Sequence, residues 1–312
     1  DRSGKTVGTI GAPDANNLTS PSLSPDGRRV AAFRTVQGNT DVWLLDATRN
    51  MRFTFDAGLD RWPIWSPDGS RIAFESNRKG HRDLYLKASN GAGNEELLLE
   101  SAQEKVVGDW SRDGRFLAYN SLDPQTSWDI WMLPMDGERK PFVFLKTNFD
   151  ERRAQFSPDG RWVAYMSNES GQFEIYVRPF FQSGLSTKTE GEPAPVNGTT
   201  SGTPLGAGTG GQWQVSTLGG TFPRWRADGK ELYYIAPDSK LMATSIAVRS
   251  GTIELGTPVA LFQPRIYGSG VDVNNGFQYV ASSEGRFLIN TVLEDANSPI
   301  TLLQNWNPEA KK

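Results

Sequence analysis

The sequence predicts an all-β chain built from six similar repeats, and three observations carry that prediction. A Ser-Pro-Asp-Gly turn recurs along its length, each copy is flanked by the same short apolar segments, and 32 Gly with 19 Pro among 312 residues favour turns over long helices. The full copies begin at Ser24, Ser66 and Ser157; weaker copies begin at Ser111, Arg226 and Ser282. Successive copies stand 42, 45, 46, 69 and 56 residues apart. In each turn, Pro presets φ at the first corner, Asp hydrogen-bonds nearby backbone, and Gly takes the positive φ that lets two strands run antiparallel.

Each element of the repeat has its own signal. An aromatic precedes the turn (Trp65, Trp110, Phe156, Trp225) and closes the first strand. A second strand follows, as in Arg71-Ile72-Ala73-Phe74 and Trp162-Val163-Ala164-Tyr165. An acid, an aliphatic and an aromatic open the third: Asp41-Val42-Trp43, Asp83-Leu84-Tyr85, Asp129-Ile130-Trp131 and Glu174-Ile175-Tyr176. A fourth apolar stretch ends the unit, as in residues 95–100 and 141–146. Four short strands per repeat make a β-propeller blade. The last repeat lacks a fourth strand, which Lys5–Ile10 at the other terminus is expected to supply, closing the ring three-plus-one and removing the exposed edge. The expected architecture is one six-bladed β-propeller domain over residues 1–312, with antiparallel four-stranded blades. Residues 182–211, rich in Gly, Ser, Thr and Pro, are expected to form a mobile insertion in the fourth blade.

With the repeat established, the chain resembles the TolB-type six-bladed propellers, over essentially its whole length. The tract from Phe156 to Gly171, Trp213-Gln214-Val215-Ser216-Thr217 and Gly256-Thr257-Pro258-Val259-Ala260-Leu261-Phe262 resemble a narrower group. That group forms the C-terminal propeller of bacterial receptor-like serine/threonine kinases and stand-alone periplasmic proteins. The resemblance implies a periplasmic or extracytoplasmic sensor or scaffold, with any kinase, membrane segment or leader encoded upstream of Asp1.

Composition removes several functions. Lys and Arg number 33 against 36 Asp and Glu, for a net charge of −3, which disfavours nucleic acid as a partner. No apolar run reaches the roughly 18 residues of a membrane span. Zero Cys and one His exclude thiolate zinc sites, His-based metal sites and a Cys nucleophile. His81-Arg82-Asp83-Leu84 resembles a kinase catalytic loop, but Ala88 stands where the metal-binding Asn is required. Gly4-Lys5-Thr6 has no preceding glycine-rich loop, and Gly-x-Ser-x-Gly is absent. The repeated acids Asp41, Asp83, Asp129 and Glu174 are expected to serve structure within their blades, and the adjoining aromatics to form inter-blade core.

The reading that remains is a non-catalytic, monomeric module, without cofactor or metal, that binds a peptide, protein or small molecule at the central mouth. The face opposite the Asp-Gly turns is expected to carry that site: Arg61, Trp62, Lys105, Asp109, Glu151, Arg153, Phe222 and Arg224. Arg grips a carboxylate with paired hydrogen bonds and aromatics supply stacking area. The alternative at these positions is ordinary rim ion pairs, each worth under about 1 kcal/mol. The rival function is a glycan hydrolase or lyase using Asp109 and Glu151 as paired channel acids.

Overall fold

A computed structural model describes residues 1–14, 18–180, 211–249, 251–266, 272–274, 276–282, 284–291 and 300–304. The described residues form strands, turns and connecting loops, with no helix among them, arranged in six antiparallel sheets. The first sheet comprises Thr19–Leu23, Val30–Val36, Asn39–Leu45 and Asn50–Arg52. The second comprises Asp60–Trp65, Arg71–Ser76, Asp83–Ala88 and Glu96–Leu99; the third Lys105–Trp110, Phe116–Asp123, Ser127–Pro134 and Phe142–Leu145. The fourth runs Glu151–Phe156, Trp162–Ser167, Glu174–Pro179 and Trp213–Gln214.

Two sheets depart from the simple repeat. In the fifth (Thr221–Trp225, Glu231–Ile235, Leu241–Arg249), the long third strand takes two partners. Its second half pairs with Thr252–Leu255 and its first half with Val259–Phe262. In the sixth, Tyr279–Ala281, Phe287–Thr291 and Ile300–Gln304 are joined by Thr9–Asp14, with Thr9 opposite Leu303 and Ile10 opposite Leu302. The N-terminal strand thus begins later than Lys5, because its position is set by the partner strand and not by local propensity. The insertion expected at 182–211 lies outside the described residues apart from Gly211.

The repeated turn is a small hydrogen-bonded unit. Ser24 Oγ donates to Asp26 Oδ1 (2.5 Å) and accepts the Arg29 N–H (2.9 Å), while the Arg28 N–H reaches Asp26 Oδ1 (3.1 Å). The same set recurs at Ser66 with Asp68, Ser111 with Asp113 and Ser157 with Asp159. In these four copies serine is a hub that both donates and accepts, whereas the copy at Arg226 keeps the backbone bonds of the turn without it. Gly160 sits in this turn at φ 71°, with open space where a Cβ would project. Gly160→Ala is expected to cost about 1 kcal/mol through backbone strain alone, read as a lower urea midpoint with unchanged slope.

The core lies between sheets. Phe53, Val42 and Leu44 of the first unit meet Trp65, Ile72, Phe74 and Tyr85 of the second. Comparable clusters join second to third, third to fourth, fourth to fifth and fifth to sixth, and Ile10 and Leu288 meet Leu18, Val30, Ala32 and Leu45 of the first. The second strands are consequently buried on both faces over most of their length, as in Trp162–Ser167, although Val30–Val36 emerges beyond Ala32. Tyr85, Trp131, Tyr176 and Trp43 all sit in or against these clusters, the inter-sheet role read from the sequence.

Candidate functional site

The first strands of the sheets build the centre. In five of them the pairing register slips by a bulge, between Thr19 and Ser22, Arg61 and Ile64, Val107 and Asp109, Arg152 and Gln155, and Thr221 and Arg224. In four of these bulges a non-glycine residue is left-handed: Ser20 (φ 53°), Trp62 (57°), Arg153 (61°) and Phe222 (55°). Each such residue costs on the order of 1–3 kcal/mol and persists only where its surroundings enforce it. The bulge redirects the side chain two residues later. Ser22, Ile64, Asp109, Gln155 and Arg224, with Val280 of the sixth sheet, accordingly form a ring, one per sheet, lining a cavity of about 480 Å³.

A further space of about 350 Å³ shares Asp109, Arg112, Gln155 and Val280 with this cavity and extends to Asp26, Gly27, Pro158, Ala227 and Glu284. The cavity therefore leads toward the Asp-Gly turns. At its other end stands a cation–aromatic plug. The Arg153 guanidinium lies 4.0 Å from the Trp62 ring centre, 5.3 Å from Phe277 and 5.6 Å from Phe222, and donates to the Val273 carbonyl (3.1 Å). Arg153, Trp62 and Phe222 are all buried. Desolvation lowers Arg153 to about 9.

The eight sequence-derived residues do not share one surface. Trp62, Asp109 and Arg224 line the cavity; Arg153 and Phe222 stand behind it in the plug. Arg61 lies 3.4 Å from Glu75. Lys105 is buried in an ion pair with Asp83 (2.7 Å) and donates to the carbonyls of Ser101 and Gln103. Glu151 is buried, accepts a hydrogen bond from Thr147 Oγ1, and is raised by desolvation to about 7. The other repeated acids are likewise committed: Asp41 to Arg52 (2.8 Å), Asp129 to Thr126 (2.8 Å) and Glu174 to Ser216 and the Gly219 N–H.

Asp109 and Arg224 carry opposite charges on the same ring without forming an ion pair. Asp109 accepts the Phe156 N–H (2.8 Å) and is raised to about 6 by desolvation, against the pull of Arg224. Arg224 stacks on Phe277 at 3.5 Å and is lowered to about 10 by desolvation. Sequence reasoning missed Gln155, Phe277 and Glu75. Gln155 was legible by aligning repeats, since it occupies the position of Asp109 and Arg224; Phe277 lies outside the repeat signature and left no such signal. Among the described residues no three His, Cys, Asp or Glu side chains are placed to hold a metal ion.

The pattern of the TolB beta propeller domain family matches residues 8–177, more than half of the chain. The chain belongs to that family. A curated relative, the Tol-Pal system protein TolB of Helicobacter pylori strain J99, is 23% identical over 159 residues, 49% of this chain and 38% of its own length. The chain thus spans well under half of that relative. A solved structure of a TolB candidate from Agrobacterium tumefaciens aligns with TM-score 0.60 at 16% identity, covering 94% of this chain and 91% of its own. An oligogalacturonate lyase in complex with manganese aligns with TM-score 0.53 at 11% identity, covering 96% and 97%. At these identities the solved structures speak to fold alone.

Proposed function

We propose that this chain is a non-catalytic binding module, a six-bladed propeller closed three-plus-one by its N-terminal strand, acting as a monomeric domain over residues 1–312. It takes a peptide, protein or small molecule into its central channel. The observation that carries this reading is the cavity lined by the first strands of all six sheets, with charged groups on its wall and no ion pair between them. Its size falls in the range of small-molecule and peptide sites. Membership of the TolB propeller family supports a sensor or scaffold role in a bacterial signalling or envelope protein of the periplasm or cell exterior.

The enzyme reading draws on the lyase that shares the fold. A paired-carboxylate mechanism needs two acids facing one substrate. Asp109 lines the channel, whereas Glu151 is buried at the start of its strand and held by Thr147. That separation favours binding over chemistry. Thermal-shift and calorimetric panels of peptides and sugars are expected to yield saturable binding without turnover. Release of product from an oligogalacturonide or other glycan, abolished by Asp109→Asn, would reverse the assignment.

A further inference from the structure

The ring of six side chains is divided in two. Asp109, Gln155 and Arg224 come from the consecutive third, fourth and fifth sheets and form a polar arc; Val280, Ser22 and Ile64, from the sixth, first and second, form the opposing arc. Consecutive sheets are neighbours in space, and the sixth packs on the first. Arg224 therefore stands across from Ile64, and Asp109 across from Val280. Arg224 makes no hydrogen bond or ion pair among the described residues, its Nε is buried without a partner, and Phe277 fixes one face of the guanidinium. An arginine held this way presents its N–H edge already oriented, which is the geometry that grips a carboxylate. Asp109 accepts backbone N–H groups, and among the described residues it forms no ion pair. Two opposite charges on one wall that do not touch each other define a gap with a positive end, a negative end and an amide between them.

We propose that this arc binds a zwitterion, a free α-amino acid or the backbone of a very short peptide bearing a compact aliphatic side chain. Its carboxylate meets Arg224, its ammonium meets Asp109, Gln155 hydrogen-bonds between them, and the side chain lies against Ile64 and Val280. Access is from the Asp-Gly-turn end, past Arg112, because the plug of Arg153, Trp62 and Phe277 stands at the other end. The inference rests on the channel-binding reading above and narrows it to one ligand chemistry and one face.

The test uses the whole chain and L-leucine as probe, titrated calorimetrically at pH 7.5. 4-Methylpentanoate, which lacks the amine, and isoamylamine, which lacks the carboxylate, are each expected to bind at least about tenfold more weakly, as loss of a charge-assisted hydrogen bond dictates. Arg224→Gln and Asp109→Asn are expected to weaken leucine by about tenfold to a hundredfold, with folding checked by circular dichroism. Arg249→Ala, at an exposed pair with Glu254 that lines neither space, is expected to leave it unchanged. The analogue series on the unaltered protein decides the matter even if a channel variant fails to fold. Absence of binding by leucine, other aliphatic amino acids and their dipeptides at tens of millimolar overturns the proposal, as does leucine binding indifferent to both channel variants. A peptide or protein ligand that binds while Arg224→Gln has no effect overturns this inference and leaves the binding-module reading standing; glycan turnover removes the latter.

Discussion

Lys105→Ala is expected to destabilise the protein by about 3–5 kcal/mol, the cost of stripping one partner from a buried ion pair. The Lys105 and Asp83 side chains are 1% and 2% exposed, and 2.7 Å separates Nζ from Oδ1. The ammonium has three protons and uses all three: on Asp83, on the Ser101 carbonyl (3.2 Å) and on the Gln103 carbonyl (2.8 Å). Truncation leaves a carboxylate in a low-dielectric interior with only the Ser101 N–H to answer it, and releases two carbonyls. Lys105→Met tests charge separately from packing, since it keeps the aliphatic stem; most of the loss is expected to remain. Asp83→Asn combined with Lys105→Met is expected to cost clearly less than the two single changes added together, because each alone orphans the other. Urea unfolding at pH 7 measures all three. A loss under about 1 kcal/mol for Lys105→Met would mean that this pair is solvated in solution.

The fold was legible because its signal repeats. One Asp-Gly turn is weak; five of them and a Glu-Gly in register, each followed by a largely buried strand, leave few alternatives. The N-terminal strand, expected at Lys5–Ile10, lies at Thr9–Asp14, four residues later, because pairing with Ile300–Gln304 decides its position. The candidate site was less legible, since channel-facing positions are set by the bulge in each first strand, and no residue type announces a bulge when the left-handed position holds Ser20, Trp62, Arg153 or Phe222. Lys105 and Glu151 read as mouth residues by charge, yet the inward pleat buries both. A register comparison does expose one unusual position. Phe33, Glu75, Asn120, Met166, Ile235 and Asn290 are equivalent, near the end of the second strand of each sheet. Asn120 donates to the Glu151 carbonyl (2.8 Å) and Asn290 to the Leu18 carbonyl (2.7 Å), tying each sheet to the first strand of the next. Glu75 occupies the same place with no proton to donate when ionised.

That contrast makes Glu75 the group expected to dominate the pH dependence of stability. Its side chain is fully buried and neither oxygen has a hydrogen-bond partner. Arg61 and Arg82 approach only to 3.4 and 3.9 Å. Desolvation outweighs the attraction of Arg82, Arg61 and Arg153 and raises the carboxyl from 4.5 to about 7. The folded state thus holds this proton more tightly than the unfolded chain does, so the stabilisation is complete below about pH 4.5 and is lost as pH rises through 7. Each pK unit corresponds to about 1.4 kcal/mol, so the window contains on the order of 3 kcal/mol. Glu151, raised to about 7, and Asp109, raised to about 6, act in the same direction. The protein is therefore expected to be more stable at pH 5.5 than at pH 8. Glu75→Gln, which stays neutral and supplies the amide donor found at Asn120, is expected to gain on the unaltered chain by on the order of 2 kcal/mol between those limits. Arg61→Ala is expected to move the window to higher pH by removing a neighbouring cation. Stability curves of the unaltered protein and Glu75→Gln that run parallel from pH 5 to 8 would show that Glu75 remains ionised in the fold, held by Arg61 and Arg82 more strongly than its burial opposes.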